Sequence, residues 1–123
     1  MKTEIIWQRI EGALIFVIGL WAYTSLGGGF SWWQWFLAFF APDLGFAGYL
    51  LGRRVGAFVY NFLHIYVFGL VVLMLGSLSG STLMMLLGAM WFAHAGFDRM
   101  LGYGLKTDQG FRFTHLGQIG RKP

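Results

Sequence analysis

Residues 51–56 read Leu51-Gly52-Arg53-Arg54-Val55-Gly56, a short basic connection between two long hydrophobic stretches. The remaining basic residues follow the same alternation and lie near the two ends of the chain, as Lys2, Arg9, Arg99, Lys106, Arg112, Arg121 and Lys122. The connections at 27–31 and 76–81 carry no charged residue. Short loops rich in Lys and Arg stay on the cytoplasmic side of a membrane. The pattern therefore predicts four membrane crossings with both termini in the cytoplasm.

The composition also predicts a membrane protein. Of the 123 residues, 57% are hydrophobic and 11% are charged, whereas about a quarter of residues are charged in soluble domains. A span needs about 20 apolar residues, so we expect an all-α, polytopic four-transmembrane-helix bundle over residues 1–104. Its helices are predicted at 5–26, 31–52, 55–75 and 82–102, and residues 105–123 are predicted to form a basic cytoplasmic tail.

The charge balance and the absence of cysteine narrow the partners. The basic residues are accounted for by membrane orientation and by the anionic inner leaflet, which makes the lipid bilayer the expected partner and argues against nucleic acid. The chain has no cysteine, so disulfides, thiolate metal sites and thiol catalysis are excluded. The sequence leaves a homo-oligomer open.

Several residues predict helix ends and helix contacts. Ser31 and Gln34 have the spacing of a capping box at the start of the second segment, and Pro42 predicts a kink within it. Because lipid gives helices no hydrophobic reason to associate, small residues are expected where helix backbones approach one another. The glycines predicted to do this are Gly12, Gly19, Gly45, Gly48, Gly56, Gly69, Gly88 and Gly96.

Polar side chains fall at one depth of the predicted bundle. Counted from the cytoplasmic ends, they lie in the inner halves of the four segments, as Glu11, Asp43, Asn61, His64, His94 and Asp98. Asn61 and His64 are three residues apart, and His94 and Asp98 are four apart, so each pair lies on one helical face. A charge facing lipid costs about 2.5 to 3.5 kcal/mol, so we expect these faces to point inward.

Two imidazoles and two carboxylates meeting inside a bundle suit a divalent cation such as zinc, manganese or iron. The predicted ligands are Asp43, His64, His94 and Asp98. Glu11 is a candidate fifth ligand or general base, Asn61 is a candidate to orient His64 or to donate to an oxyanion, and Arg99 is a candidate anion clamp. Each of these residues alone is also compatible with a hydrogen-bonded brace between helices.

The tail has two interpretations. Its mixture of aromatic and basic residues is typical of a segment that lies on lipid headgroups, and the alternative is that it folds back over the cytoplasmic end of the bundle. In the second case His115 becomes a candidate third imidazole, and Lys106 and Arg112 become candidates to hold an anionic substrate.

The chain resembles an uncharacterised bacterial family of small four-helix membrane proteins. The residues that carry the resemblance are Ala41-Pro42-Asp43-Leu44-Gly45, Gly48-Tyr49, Val59-Tyr60-Asn61 with His64, His94-x-Gly96-Phe97-Asp98-Arg99-x-Leu101-Gly102-Tyr103-Gly104-Leu105-Lys106, and Thr114-His115-Leu116-Gly117 with Ile119-Gly120. The resemblance implies the four-helix fold and a place in the bacterial cytoplasmic (inner) membrane, without an activity.

A weaker likeness is to the membrane-bound metal-dependent hydrolases, which have a Pro-Asp motif, a later His and a His-x-x-x-Asp pair. Asp43, His64, His94 and Asp98 match these positions in order. This similarity implies metal chemistry, although Asn61-x-x-His64 stands where that group has Thr-His.

Three functions remain open at this level. The first is a membrane-embedded hydrolase in which a metal-bound water attacks an ester or phosphoester. The second is a proton-coupled transporter that uses Glu11, since four helices with one carboxylate in the first resemble the small multidrug resistance transporters. The third is electron transfer through a b-type haem with His64 and His94 as axial ligands. An accessory subunit of a larger complex is compatible with all of these features.

Overall fold

The fold is mainly helical, as the sequence predicts, in a computed structural model that describes residues 2–107 and 113–119. Its elements in chain order are α1 (Thr3–Ser25), α2 (Trp32–Phe40), a 3-10 helix (Ala41–Leu51), α3 (Arg53–His64), α4 (Tyr66–Ser79), α5 (Thr82–Leu101), β1 (Phe113–Thr114) and β2 (Gly117–Gln118). The capping box at the start of α2 is confirmed, because Ser31 Oγ accepts from the Gln34 backbone and Gln34 Oε1 accepts from the Ser31 backbone.

Helix α5 is the centre of the molecule and packs between α1 and α4. On the α1 side, a Cβ added to Gly96 would lie 2.6 Å from the carbonyl oxygen of Gly12. On the α4 side, a Cβ added to Gly88 would meet the backbone of Leu73 and Gly69. The helices are therefore in backbone contact on both sides of α5. Tight packing is confirmed for all eight of the glycines that the sequence singled out.

The apolar core lies where α1, α2 and α5 meet. It is built around Phe39, which is 2% exposed, and Met90, which is fully buried. The Phe39 ring contacts Phe16, Trp35 and the imidazole of His94. The edge of this aromatic core is thus one wall of the polar region described below.

The second predicted segment is not a single kinked α-helix. Helix α2 ends at Phe40, and the chain continues from Ala41 to Leu51 as a 3-10 helix whose first turn contains Pro42. Proline removes a backbone donor and clashes with the preceding turn, which explains why the α-helix ends there. The expected kink is therefore a change of helix type, and it occurs directly before Asp43.

Residues 55–75 do not form the one continuous helix that the sequence predicts. The helix is interrupted at Ile65, which has an extended backbone (φ −81°, ψ 149°), and the direction of the helix axis changes by 55° between α3 and α4. The amide of Phe68 donates to the carbonyl of Ile65 rather than to that of His64. The carbonyl of His64 is consequently left available for another donor.

Part of the tail folds back onto the helices. Strands β1 and β2 form a short antiparallel hairpin, and Lys106 forms an isolated bridge with Thr114. The imidazole of His115 accepts from the backbone of Leu105 and contacts Gln8 Oε1 on α1 at 2.7 Å. The described tail residues thus follow the fold-back alternative. Arg112 and residues 120–123 lie outside the described residues.

Among the described helices, Thr3–Ser25 is long and apolar enough to cross a membrane. The bent pair Arg53–His64 and Tyr66–Ser79 would supply a second span if it is counted as one. The 3-10 helix interrupts the second segment, and α5 carries His94, Asp98 and Arg99, which lower its mean hydropathy. The other crossings predicted from the sequence therefore stay a prediction.

Candidate metal centre

Four side chains from three helical elements converge at one point. One ligand atom from each of Asp43, His64, His94 and Asp98 lies within 4.8 Å of all the others. We call these four residues the His/Asp cluster. Asp43 comes from the 3-10 helix, His64 is the last residue of α3, and His94 and Asp98 share one face of α5.

The distances inside the His/Asp cluster are those of ligands around one ion. His64 Nε2 lies 3.0 Å from Asp43 Oδ1 and 3.5 Å from Asp98 Oδ2. His94 Nε2 lies 3.2 Å from both His64 Nε2 and Asp43 Oδ1, and 3.6 Å from Asp98 Oδ2. Bonds of about 2.0 to 2.1 Å in a tetrahedral zinc site place neighbouring ligand atoms about 3.3 to 3.4 Å apart. The separations that involve an imidazole nitrogen, from 3.0 to 3.6 Å, surround that value, and the carboxylate oxygens of Asp43 and Asp98 lie within 4.8 Å of each other.

The hydrogen bond on the far side of His64 fixes how its imidazole faces the cluster. His64 Nδ1 lies 2.8 Å from the backbone carbonyl of Tyr60, and a carbonyl only accepts, so Nδ1 carries a proton and donates it. In a neutral imidazole, Nε2 then presents a lone pair to Asp43 Oδ1, which is also an acceptor. A proton, carried either by Nε2 or by the carboxylate oxygen, or a metal ion is therefore required between these two atoms.

His94 is held differently from His64. Its ring is 1% exposed and packs edge-on against Phe39 and Phe40, so its orientation comes from aromatic packing. Its Nδ1 atom has no hydrogen-bond partner within residues 2–107 and 113–119. His64 therefore has the backbone partner that orients most metal-bound histidines, whereas His94 does not.

Close packing of the 3-10 helix on α3 brings Asp43 to His64. A Cβ at Gly45 would lie 3.3 Å from the Cα of Tyr60, and one at Gly48 would lie 3.3 Å from the Cα of Gly56. Side chains at these glycines would separate the two elements. The Ala41–Leu51 segment, opened by Pro42, thus lies flat enough on α3 for the carboxylate to reach the imidazole.

Tyr60 supports the cluster, which is a role that the sequence did not predict. Its ring stacks on the imidazole of His64 with centroids 3.8 Å apart, and its hydroxyl donates to Asp98 Oδ2 at 3.3 Å. It therefore touches residues from two helices and orients both. The available signal was its position four residues before His64, which places both on one face of α3.

The guanidinium of Arg99 binds backbone carbonyls, and the anion-clamp role stays a prediction from the sequence. It is 4% exposed, and its guanidinium donates to the carbonyls of Tyr103 and His64, both at 2.8 Å. The second of these bonds satisfies the carbonyl that the break at Ile65 leaves open. Arg99 therefore fixes the end of α3 and acts on the cluster through the backbone of His64.

Replacing Arg99 by Met should lower the free energy of unfolding by about 2 kcal/mol, because charged hydrogen bonds to buried carbonyls are lost. Metal affinity should fall by about tenfold, because the end of α3 is no longer held. Thermal unfolding and metal titration of the variant measure the two effects. Arg54→Met, which removes an exposed arginine of α3, is the control, and equal losses in both variants would contradict the positioning role.

Asn61 holds the tail rather than a substrate or His64. Its side-chain amide donates to the Lys106 carbonyl at 2.8 Å and its oxygen accepts from the Lys106 amide at 2.6 Å. This pair of hydrogen bonds anchors the chain after α5 to α3. Asn61 thus places Lys106 beside the cluster, which is a role that spacing along α3 could not indicate.

A cavity of about 290 Å³ opens beside the His/Asp cluster, and we call it the cluster cavity. Its lining residues are Asp43, Phe46, Tyr60, Asp98, Tyr103, Lys106 and Ile119. One third of the Asp43 side chain is exposed, against 13% for Asp98, so Asp43 is the more accessible carboxylate. Lys106 is 5% exposed, with Nζ 4.9 Å from the centroid of the Tyr60 ring. Burial lowers the pKa of Lys106 to about 8, while the carboxylates of Asp98 and Asp43 act in the opposite direction.

Glu11 does not join the His/Asp cluster, contrary to its prediction as a fifth ligand or base. It is exposed on α1 and lines a different cavity, together with Gln8, Tyr66, Arg99 and His115. His115 also stays outside the cluster, because its two ring nitrogens contact Leu105 and Gln8. The use of Glu11 in transport remains a prediction.

The geometry excludes a haem held between His64 and His94. Their Nε2 atoms are 3.2 Å apart and both face Asp43 Oδ1. Axial ligands must instead face each other across an iron atom and a porphyrin ring. The interpretation as a bis-His electron-transfer protein was therefore wrong.

The comparisons with known proteins give a family and no activity. A family model described as Domain of unknown function (DUF4260) matches residues 5–119. No curated protein and no solved structure matches the chain. The geometry of the site is therefore the basis for a functional proposal.

Proposed function

The chain belongs to the DUF4260 family of unknown function, and we propose that it is a membrane-embedded, metal-dependent hydrolase. In this proposal one divalent cation is bound by the His/Asp cluster. The observation that carries it is the approach of two imidazole nitrogens and two carboxylate oxygens to within 4.8 Å of one another. The metal would cancel the negative charge of the two carboxylates at the meeting point of three helical elements.

The donor set favours particular ions. Two neutral imidazoles and two carboxylates suit zinc, manganese(II) or iron(II). Four protein ligands close a tetrahedral zinc site, whereas ions that take five or six ligands keep a position for water. The partial exposure of Asp43 toward the cluster cavity places such open positions on that side. Manganese and iron are therefore the ions that best fit a catalytic role.

Hydrolysis needs only water as the co-reactant. A divalent ion held by these residues would lower the pKa of a bound water toward about 7. The oxygen of a water molecule would form a bond to the phosphorus or carbonyl carbon, the ester bond to the leaving oxygen would break, and the leaving oxygen would take up the proton that the water gives up. Because Glu11 lies at another cavity, Asp43 is the carboxylate best placed to accept the proton of the water. Tyr60 would keep Asp98 oriented through its hydroxyl.

The distribution of polar and apolar side chains supports placement in a membrane. Large apolar residues are exposed around the molecule, among them Trp21 (68%), Leu50 (89%) and Leu78 (83%). Soluble monomers rarely expose apolar surface on this scale. The side chains of His64, His94, Arg99 and Lys106 are instead buried. We propose four crossings in the bacterial cytoplasmic membrane, with the bent pair α3 and α4 forming one of them and the cluster near the inner face.

The proposal is tested on the full chain purified in detergent. The protein should contain about one divalent ion per chain by elemental analysis, and the reconstituted protein should hydrolyse a chromogenic phosphoester such as bis-p-nitrophenyl phosphate. Asp43→Asn should lower the rate by at least about a hundredfold, because it removes the proposed general base and also one of the four proposed metal ligands. The matched control is Glu4→Gln, which removes one exposed carboxylate of α1. Protein that binds no metal after exposure to zinc, manganese and iron would overturn the proposal.

A further inference from the structure

We propose that Trp91 is a positioning residue of the candidate metal centre, where it sets the place of Asp43 relative to α5. Trp91 lies on α5, three residues before His94. It is not a ligand, and it acts through the junction between α2 and the 3-10 helix, which comes directly before Asp43. This inference rests on the proposed function, and it adds a residue that neither spacing nor depth along the sequence singles out.

The indole of Trp91 donates a hydrogen bond to the end of α2. Its Nε1 atom lies 2.9 Å from the backbone carbonyl oxygen of Ala38. In a continuous α-helix this carbonyl would accept from the amide of residue 42, and Pro42 has no amide hydrogen. The amide of Ala41 bonds the same carbonyl with the shorter spacing of a 3-10 turn. Trp91 thus supplies from α5 the donor that Pro42 lacks.

This hydrogen bond joins two elements that carry ligands of the proposed site. Asp43 follows the junction between α2 and the 3-10 helix, whereas His94 and Asp98 lie on α5. Trp91 and His94 are three residues apart and therefore share one face of α5. The junction is thus tied to α5 within one turn of His94, whose Nε2 atom lies 3.2 Å from Asp43 Oδ1. A shift of the junction along α5 would change this separation.

The ring of Trp91 also contacts the second place where a predicted helix is interrupted. It stacks on the ring of Phe68, with centroids 5.6 Å apart and planes inclined by 17°. Phe68 lies in the first turn of α4, and its amide donates to the carbonyl of Ile65. One side chain therefore contacts both interruptions, at the end of α2 and after Ile65. Asp43 and His64 are the residues of the His/Asp cluster that lie beside these interruptions.

Arg99 holds the other ligand-bearing segment in the same way. Its guanidinium donates to the carbonyl of His64 at the end of α3, where the interruption of the helix leaves that carbonyl available. Trp91 and Arg99 lie on α5 on either side of the two ligands that this helix carries. Helix α5 therefore supplies two ligands of its own and, from flanking positions, one donor to each of the segments that carry Asp43 and His64.

The test uses the full chain in detergent and cobalt(II), whose visible absorption reports the ligands around the ion. Trp91→Phe keeps an aromatic ring against Phe68 and removes the donor to Ala38. It should bind cobalt at least about tenfold more weakly than the wild type and shift the visible absorption, because a ligand is no longer held in place. Trp91→Gln loses the ring but keeps an N–H group at the same number of bonds from Cβ, so it should bind cobalt within about threefold of the wild type.

Tyr23→Phe is the matched control. The hydroxyl of Tyr23 accepts from the amide of Phe30 at 2.9 Å, so this variant also keeps a ring and loses one hydrogen bond to the backbone. It should leave cobalt affinity and absorption unchanged, whatever its effect on the melting temperature. A further measurement needs no variant, because the indole hydrogen of Trp91 in the wild type should exchange with solvent more slowly than that of the exposed Trp21.

Equal cobalt binding and identical absorption in the wild type and Trp91→Phe would overturn this inference and leave the metal centre intact. Stronger binding by Trp91→Phe than by Trp91→Gln would assign the effect to ring packing and would overturn it as well. Equal exchange rates of the two indole hydrogens would show that the bond to Ala38 is absent. A wild type that binds no metal would instead overturn the proposed function.

Discussion

Replacing His64 or His94 by Ala should remove at least about 99% of the bound divalent metal at micromolar ion concentrations. In the proposed site each imidazole would supply one of four ligands, and loss of a single residue that supports a ligand already costs about 10- to 100-fold in metal affinity. Truncation also leaves the carboxylate of Asp43 facing Asp98 with less neutralising charge. Elemental analysis after dialysis against trace metal is the measurement.

His115→Ala is the matched control for this experiment. It removes the remaining histidine of the chain, which contacts Leu105 and Gln8 outside the cluster. This variant should keep its metal. A second measurement separates binding from folding, because addition of a chelator should lower the melting temperature of the wild type and leave that of His64→Ala unchanged. Full metal retention by the His64→Ala, His94→Ala double variant would refute the site.

Substituting valine for Gly88 or Gly96 should lower the free energy of unfolding by more than about 3 kcal/mol, the upper end of the usual overpacking cost. At Gly96 the first added carbon would lie 2.6 Å from the Gly12 carbonyl oxygen, and at Gly88 it would meet the Leu73 backbone. A backbone cannot rotate away as a side chain can, so the neighbouring helix must shift. Thermal unfolding followed by circular dichroism in detergent measures the loss.

Ala47→Val serves as the control for the glycine variants, because it adds two carbons at an exposed position of the 3-10 helix. Its melting temperature should stay close to that of the wild type. If Gly96→Val unfolds at the same temperature as Ala47→Val, then α1 and α5 are not in backbone contact at that crossing.

The residues of the His/Asp cluster could be named from the sequence because helical spacing and depth are local properties. His94 and Asp98 are four residues apart on one helix, and the cost of facing lipid points them inward. The same cost of facing lipid predicts that Asp43 and His64 also point inward. Which atoms meet, and at what distance, depends on the packing of the 3-10 helix on α3, and that packing is not encoded in the spacing.

The break at Ile65 had no signal in the sequence. Residues 57–68 contain neither glycine nor proline, the usual causes of a kink. The break is sustained by tertiary contact, because Arg99 on α5 donates to the carbonyl of His64 in place of the amide of Phe68. The role of Arg99 at the end of α3 had no sequence signal for the same reason, since His64 lies 35 residues away along the chain.

The path of the tail also depended on distant partners. The hydrogen bonds between Asn61 and Lys106 join residues 45 apart, and neither residue shows this in its neighbourhood. Composition alone favoured a segment that lies on the headgroups over one that folds back. The role of Asn61 therefore became visible only with the fold.

Helix α5 is in backbone contact with α4 at Gly88 and with α1 at Gly96. These contacts restrict rotation and sliding of the helix that carries His94 and Asp98. Two of the four residues of the His/Asp cluster therefore lie on a helix that is held from two sides. Asp43, on the 3-10 helix, and Lys106, in the segment after α5, lie outside these two backbone contacts. We therefore expect the 3-10 helix and the segment after α5, rather than α5 itself, to move when an ion enters the cluster.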